Sequence, residues 1–424
     1  MNYELKEIKE NIGIHLIKTD KFKTNLIAVF ITMPLTREKI TKETLIPAVL
    51  KRGTKNFDTQ EKINIKLEEM YGAEFGCGVE KIGDNHVMKF YLETLNNNFV
   101  SCSENMLEEG VNLLLDIIFN PFLENNKFKE DYVFSEKNNI KQLIESKIDN
   151  KSAYSQTRCT EEMYKGKAYG LYRHGYTEDL EEITSENLYA LYNDIIVEAK
   201  IDIFISGDIE AQEILEIINN NANICRLEER ENIIIINNEE TEKKEHVQTQ
   251  EIFEKMDVGQ GKLVLGLDIH LNEKDAKFPI SIYNVILGES ATSKLFLNVR
   301  EKHSLAYTIR SNYVRQKNNI YIKAGIESKD YKTAVKIIEE QLEDMKKGNF
   351  TNKDLDDAKK YMISGINSVK DEQDSEVTYY IGQELSGRLT TFPEYIEKIN
   401  AVTIEDVKKV ANEIEINTIY FLSN

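Results

Sequence analysis

The chain has 424 residues, 41% of them hydrophobic, and its 54 Lys and Arg against 73 Asp and Glu give a formal net charge of -19. That length and apolar fraction exceed what a single ordinary domain core requires. A surface of this sign repels phosphate backbones, which argues against nucleic acid as a partner; it suits solubility, or the receipt of basic or neutral peptides.

The N-terminal stretch MNYELKEIKENIG mixes charged and apolar residues with no basic segment leading into an apolar one, so it is read as carrying no secretory signal. No apolar run approaches the ~20 residues of a membrane span, and a cytoplasmic location is the expectation. Strand-like segments IGIHLIKTD and LIAVFITM follow, then a short helix around Pro47 to Lys51. TQEKINIKLEEMYG has apolar residues at helical spacing, with Gly72 placed as its C-cap. Next come two alternating strands, AEFGCGVEKI and HVMKFYLETL. The helix SENMLEEGVNLLLDIIF follows, with Ser103 and an acidic first turn as N-terminal signals. Helices through EKNNIKQLIESKI, SAYSQTRCTEEMY and TSENLYALYNDII lead to the strand AKIDIFISGD; Ser185 is the expected cap of the third. The aliphatic run Ile233 to Ile236 reads as a strand.

The segment NNEETEKKEHVQTQEIFEK is polar and charged, which marks a solvated linker over 238–250 between halves 1–237 and 251–424. The second half repeats the order of the first. KLVLGLDIHL is a strand, FPISIYNVILG and SKLFLNVREKH are helices, and LAYTIRSNYV and NIYIKAGIE are strands. KTAVKIIEEQLEDMKKG is a helix stopped by Gly348; LDDAKKYMISGINSVK, PEYIEKINAV and TIEDVKKVANEI are helices, and INTIYFLSN is the closing strand. Duplication of one α+β unit explains that order with fewer assumptions than two unrelated domains.

Local metal and nucleotide signatures are absent. His15, His86, His174, His246, His270 and His303 are too far apart for two imidazoles to share one helix face, and neither HExxH nor HxxEH occurs. Cys77, Cys102, Cys159 and Cys225 form no CxxC pair, which argues against a disulfide framework or thiolate zinc site and for reduced, mostly buried thiols. The glycines of Gly259–Gly261 precede a strand, the wrong order for dinucleotide binding.

LGESATSKLFLNVREKHSLAYTIRS, Leu287 to Ser311, resembles the second-half signature of the insulinase/pitrilysin metallopeptidases, LGGGxSSRLFxxLREKxGLAYxVxS. Ser293, Leu295, Phe296, Arg300, Glu301, Lys302, Leu305, Ala306 and Tyr307 match, while Ser304 replaces a glycine. KRGTKNF, TEDLEEITSENLYALYND, ISGDI and INAVTIEDVKKVA extend the resemblance over nearly the whole chain. The resemblance implies an α+β fold of two homologous halves, each an antiparallel sheet flanked by helices, of the LuxS/metallohydrolase-like kind.

Active members carry HxxEH on a helix before the GT step. Alignment on Gly53 and Thr54 puts Thr44, Pro47 and Ala48 at those three positions, and Gln142 and Leu143 where the second helix supplies glutamates. The resemblance thus implies a zinc-less member without a cofactor, similar to the alpha-type subunit of mitochondrial processing peptidase and to paired bacterial homologues, including the group associated with elongation factor P modification. The expected partner is an HxxEH-bearing homologue, in a heterodimer, or a second copy in a homodimer. Arg300 and Tyr307 are the implied substrate-binding pair; taken without the resemblance they read as a solvated helix residue and a core aromatic. A scaffold or peptide-binding role without proteolysis is the alternative. Proline in a first helical turn costs little, which predicts a helix starting near Thr44 to Pro47.

Overall fold

A computed structural model describes residues 3–100, 105–227, 248–271, 273 and 275–424. Contacts divide the chain into two compact units. One comprises Met1–Glu145, Leu171–Ile236 and Lys370–Leu385; the other comprises Ser146–Gly170, Asn237–Val369 and Ser386–Asn424. The units are therefore not simply the stretches 1–237 and 251–424, because each half of the sequence lends one segment to the other's unit.

The first unit contains β1 (Tyr3–Lys9), β2 (Ile12–Lys18), β3 (Thr24–Pro34), α1 (Ile40–Leu50), α2 (Gln60–Glu69), β4 (Glu74–Ile82), β5 (Asn85–Leu95) and α3 (Met106–Phe119). A two-strand hairpin, β6 (Leu123–Glu124) and β7 (Lys127–Phe128), precedes α4 (Glu130–Glu145). The next helix, α5 (Lys151–Met163), belongs to the second unit, where it packs on that unit's sheet. The first unit resumes with α6 (Ser185–Glu198), β8 (Lys200–Gly207), α7 (Ala211–Asn220) and α8 (Ala222–Arg226). The second unit continues with β9 (Gln250–Lys255), β10 (Gly261–Ile269), α9 (Lys277–Asn284), β11 (Ala306–Val314), β12 (Asn319–Ile326), α10 (Tyr331–Lys347) and α11 (Asn352–Val369). Then α12 (Gln373–Glu384) packs on β8 and β3 of the first unit. The chain ends in α13 (Phe392–Ala401), α14 (Ile404–Asn412) and β13 (Ile414–Ser423) of the second.

Among the described residues the first sheet runs β1-β2-β8-β3-β5-β4 and the second β11-β12-β10-β13-β9. Read from β4 inward and from β11 inward, the two orders coincide. The directions coincide as well: β3 and β10 are antiparallel to both neighbours, and β2–β8 and β9–β13 are the parallel pairs. The expected duplication thus extends to strand pairing, and β1 is the first sheet's addition. Each sheet buries an aliphatic face against helices, and α5 also buries Val264, Tyr321 and Tyr420 on the second sheet's other face. Ile27, Val29, Phe90, Leu92, Ile203 and Ile205 lie in one core, and Leu265, Leu267, Ile320 and Ile322 in the other.

Several local expectations are corrected. The cap of α3 is Asn105, whose side chain accepts from the Glu108 N–H; Ser103 lies outside the described residues, as do Cys102, His246 and the run Ile233 to Ile236. The cap of α6 is Thr184 rather than Ser185, in a reciprocal box with Asn187. Helix α2 stops at Met70, and Gly72 lies just beyond with φ +76. The strand QEIFEK, which begins at the last residue of the expected linker, was not foreseen: paired in parallel with β13, its backbone groups find partners that composition could not announce. β1, α7, α8 and α12 were not foreseen. Of the three described cysteines only Cys159 is buried; Cys77 is half-buried and Cys225 exposed, and all three are free thiols.

Helix α1 departs most from expectation. It begins at Ile40, not near Thr44 to Pro47, so Pro47 sits mid-helix and offers no N–H to the Glu43 carbonyl. Ten of its eleven residues are buried, so it has no polar face and shows no amphipathic period. An interior proline costs ~3 kcal/mol, but complete burial of side chains such as Leu45, Ile46, Val49 and Leu50 contributes about 1.5–3 kcal/mol each, and burial wins.

Candidate functional site

In the first unit, α1 places Thr44, Pro47 and Ala48 along a buried surface. The Thr44 hydroxyl lies 3.0 Å from the Ile40 carbonyl and 3.2 Å from that of Arg173. The Pro47 carbonyl accepts from Lys51 N–H at 3.2 Å and faces the Cys77 thiol at 3.4 Å. Gln142 and Leu143 lie on the exposed side of α4. The carboxylate that α4 does bury is Glu136, held by Arg52 at 3.3 Å and Asn139 at 3.0 Å. Burial pushes the Cys77 thiol up to about 11, so it is a neutral thiol at physiological pH.

The loop Leu171–Tyr176 closes over α1, and sequence reasoning missed it. The Arg173 carbonyl faces Thr44 and also accepts from His86 Nε2 at 2.9 Å, while His86 Nδ1 is 2.7 Å from Glu43, the residue before Thr44. His86 and Glu43 are both at most 1% exposed. Thr41 donates to Asp179 and accepts from the Tyr176 N–H at 3.0 Å, and Arg37 grips Asp179 with both terminal nitrogens. Burial would raise the Asp179 carboxyl, but the bonds from Arg37 and Thr41 outweigh it and hold the group below its ordinary value. Thr41, Glu43 and Thr44 of α1 are thus tied by hydrogen bonds to His86, Arg173, Tyr176 and Asp179. Among the described residues no three His, Cys, Asp or Glu side chains are grouped to hold a metal ion. A lone Glu before a Thr and a His in a strand 43 residues away give no sequence signal of that pairing.

In the second unit, α9 runs on into a π-helical stretch, Val285–Glu289, and a second π-helical stretch covers Phe296–Lys302. Such wide turns recur at functional sites. Arg300 lies on the second, its guanidinium 4.7 Å from the Phe296 ring centre and its Nε 3.6 Å from Glu301. Two residues past the stretch, Ser304 takes φ +50. That left-handed conformation is free for the glycine of the family signature and costs another residue ~1–2 kcal/mol. Tyr307 follows at the start of β11. Ala306 pairs with Ile326 and Thr308 with Gly325, so Tyr307 is an extra residue bulged out of the ladder. Its side chain is 77% exposed, the opposite of a core aromatic. β11 is an edge strand, with Tyr307, Thr308, Arg310 and Asn312 all exposed.

Three comparisons with known proteins bear on the family and the fold. The model of the peptidase M16 inactive domain matches residues 182–362. A Bacillus subtilis (strain 168) protein described as probable inactive metalloprotease YmfF is 34% identical over 420 residues, covering 99% of this chain and 97% of that protein. The crystal structure of a conserved protein from Enterococcus faecalis V583 matches with a TM-score of 0.89 and 27% identity over 100% of this chain and 99% of that one. That of a peptidase M16 inactive domain from Pseudomonas fluorescens matches with a TM-score of 0.80 at 17% identity, over 100% and 98%. A relative so similar along both full lengths, on a fold of two α+β units, shows that the chain belongs to the M16 peptidases, the insulinase/pitrilysin family, as a zinc-less, inactive member.

Proposed function

We propose that the chain is a non-catalytic, substrate-binding or regulatory subunit of a heteromeric zinc metallopeptidase of the M16 type. The observation that carries this is Tyr307: a phenol bulged out of an edge strand and 77% exposed is placed to meet another molecule rather than to pack a core. Arg300 precedes it on the π-helical stretch with a partly exposed guanidinium. A phenol and a guanidinium both donate hydrogen bonds to a carbonyl oxygen that gains negative charge during attack. The metal and its activated water would come from an HxxEH-bearing partner. A peptide would add to β11 as a further strand, its backbone bonding to the open edge. A cytoplasmic site of action fits this reading, and no described helix is long and apolar enough to cross a membrane.

The test is to mix the purified chain with an HxxEH-bearing M16 homologue. Peptidase activity should appear on mixing and fall at least tenfold with Arg300→Ala or Tyr307→Phe, while the isolated chain stays inactive and free of stoichiometric zinc. A stable complex with no gain in activity, unaffected by either substitution, would replace this reading with a scaffold role. Turnover by the isolated chain would sink both.

A further inference from the structure

We propose that the sheet face beside β11 binds a peptide segment carrying acidic side chains, which names the substrate class of the site above and rests on the reading of β11 as a peptide-docking edge.

The second sheet has two faces. Ile309, Ser311, Ile322 and Ala324 point into the core, so Arg310 and Lys323 point to the opposite face. There they are direct cross-strand partners. Like charges placed directly opposite on a sheet, with Cβ atoms about 5 Å apart, destabilise it. Lys262 on β10 shares this face, opposite Gly325 and so one diagonal step from Lys323. Three cations from three adjacent strands thus crowd one patch. Their contacts do not neutralise them. Lys323 donates to the Gln156 amide oxygen at 2.8 Å and Lys262 to that of Gln260 at 2.9 Å, both uncharged acceptors. Among the described residues Arg310 has no hydrogen-bond or carboxylate partner.

These cations lack an anion in a chain where acidic residues outnumber basic ones 73 to 54. Arg37, Arg52, Arg158 and Arg388 each find a carboxylate, and Arg173 and Arg226 bond neutral groups, whereas Arg310 has neither. Burial holds the Lys323 ammonium below its ordinary value and the charge of Arg310 adds to the effect, as expected of a cation kept without an anion. Edge strands do use charges to deter unwanted pairing, but that accounts for Arg310 alone. Lys323 and Lys262 lie on inner strands, where there is no edge to protect. A strand added to β11 would send alternate side chains onto this same face, beside Thr308, Arg310 and Asn312. Asp or Glu at those positions would relieve the repulsion. The net charge of the whole chain, which suggests basic or neutral peptides, is thus overruled locally, because interactions beyond about 8–10 Å are screened at physiological salt.

The test uses the full chain and three fluorescein-labelled decapeptides of the same length. One has Asp or Glu at alternate positions, one the matching Asn or Gln, and one Lys. By fluorescence anisotropy at low salt the acidic peptide should bind about tenfold tighter than the neutral one, as expected of one or two charge-assisted bonds. That preference should shrink in high salt and be lost in Arg310→Gln and Lys323→Gln. Lys336→Gln, on an exposed helix position, should leave it intact. Arg310 is exposed, so its removal should hold or raise the Tm. Equal binding of acidic and neutral peptides overturns the acidic preference and leaves the docking edge standing. An acidic preference that survives both substitutions places binding elsewhere and overturns the proposal. No binding of any peptide removes the proposal too; activation on mixing with the HxxEH partner then decides separately whether the subunit reading falls with it.

Discussion

Gly175 to alanine tests how tightly the loop Leu171–Tyr176 seals α1. Gly175 adopts φ +76, and a Cβ built there would lie 2.6 Å from the Thr41 Cα, a backbone atom that cannot swing away. Gly72 adopts the same φ of +76 in the same unit, but a Cβ there meets nothing within 4 Å. The backbone term, ~1–2 kcal/mol for a left-handed alanine, is therefore common to both substitutions. Only Gly175→Ala adds an overpacking term of about 1–3 kcal/mol, which must push the loop off α1. The expected losses are about 1–2 kcal/mol for Gly72→Ala and about 2–5 kcal/mol for Gly175→Ala. The assay is urea unfolding followed by circular dichroism. Amide exchange should also quicken at Tyr176, whose N–H is held by Thr41 Oγ1 at 3.0 Å. Equal losses for the two alanines, or unchanged exchange at Tyr176, would refute the claim that the loop is locked by close approach to α1.

Two further outcomes follow from charge. Burial, with Arg173 and His86 nearby, lowers His174 from 6.5 to about 4, and its Nε2 accepts from Arg173 Nε at 2.9 Å, which requires the neutral ring. Between pH 6.5 and 4 the unfolded chain binds more protons at this site than the folded one, so its contribution is complete above pH 6.5 and lost as pH falls to 4. The loss is about 3 kcal/mol, and His174→Gln should flatten the stability–pH curve over that window relative to the wild type; parallel curves would show that His174 is not the group. Glu254 is pushed up by burial, but hydrogen bonds from Tyr154, Tyr420 and Arg158 outweigh that and keep it below its ordinary value. Since Tyr154 and Arg158 lie on α5, Glu254→Gln should weaken the docking of that helix on its sheet by about 1–3 kcal/mol, read by amide exchange within α5. Unchanged protection there would mean that apolar packing alone holds the helix.

Much of this protein is written in short stretches of its sequence. Alternation and helical spacing report most of the strands and helices of both units, because each depends on residues a few positions apart. The loss of HxxEH is equally local, as is the retained run around Arg300 and Tyr307. Tertiary structure decided what depends on distant neighbours. Helix α1 starts before Thr44 and tolerates Pro47 because it is buried nearly all round, and a helix without a polar face leaves no period to read. His86 closes on Glu43, and the Arg173 carbonyl on Thr44, across long loops of chain. The exchange of α5 and α12 between units depends on which sheet face each helix covers, not on its own pattern. Tyr307, a core aromatic when taken without the family resemblance, is turned outward by the bulge, and Arg310, Lys323 and Lys262 form one patch only through strand register. Local propensity is a property of the segment, whereas register, burial and charge neighbourhood exist only once the sheets have paired.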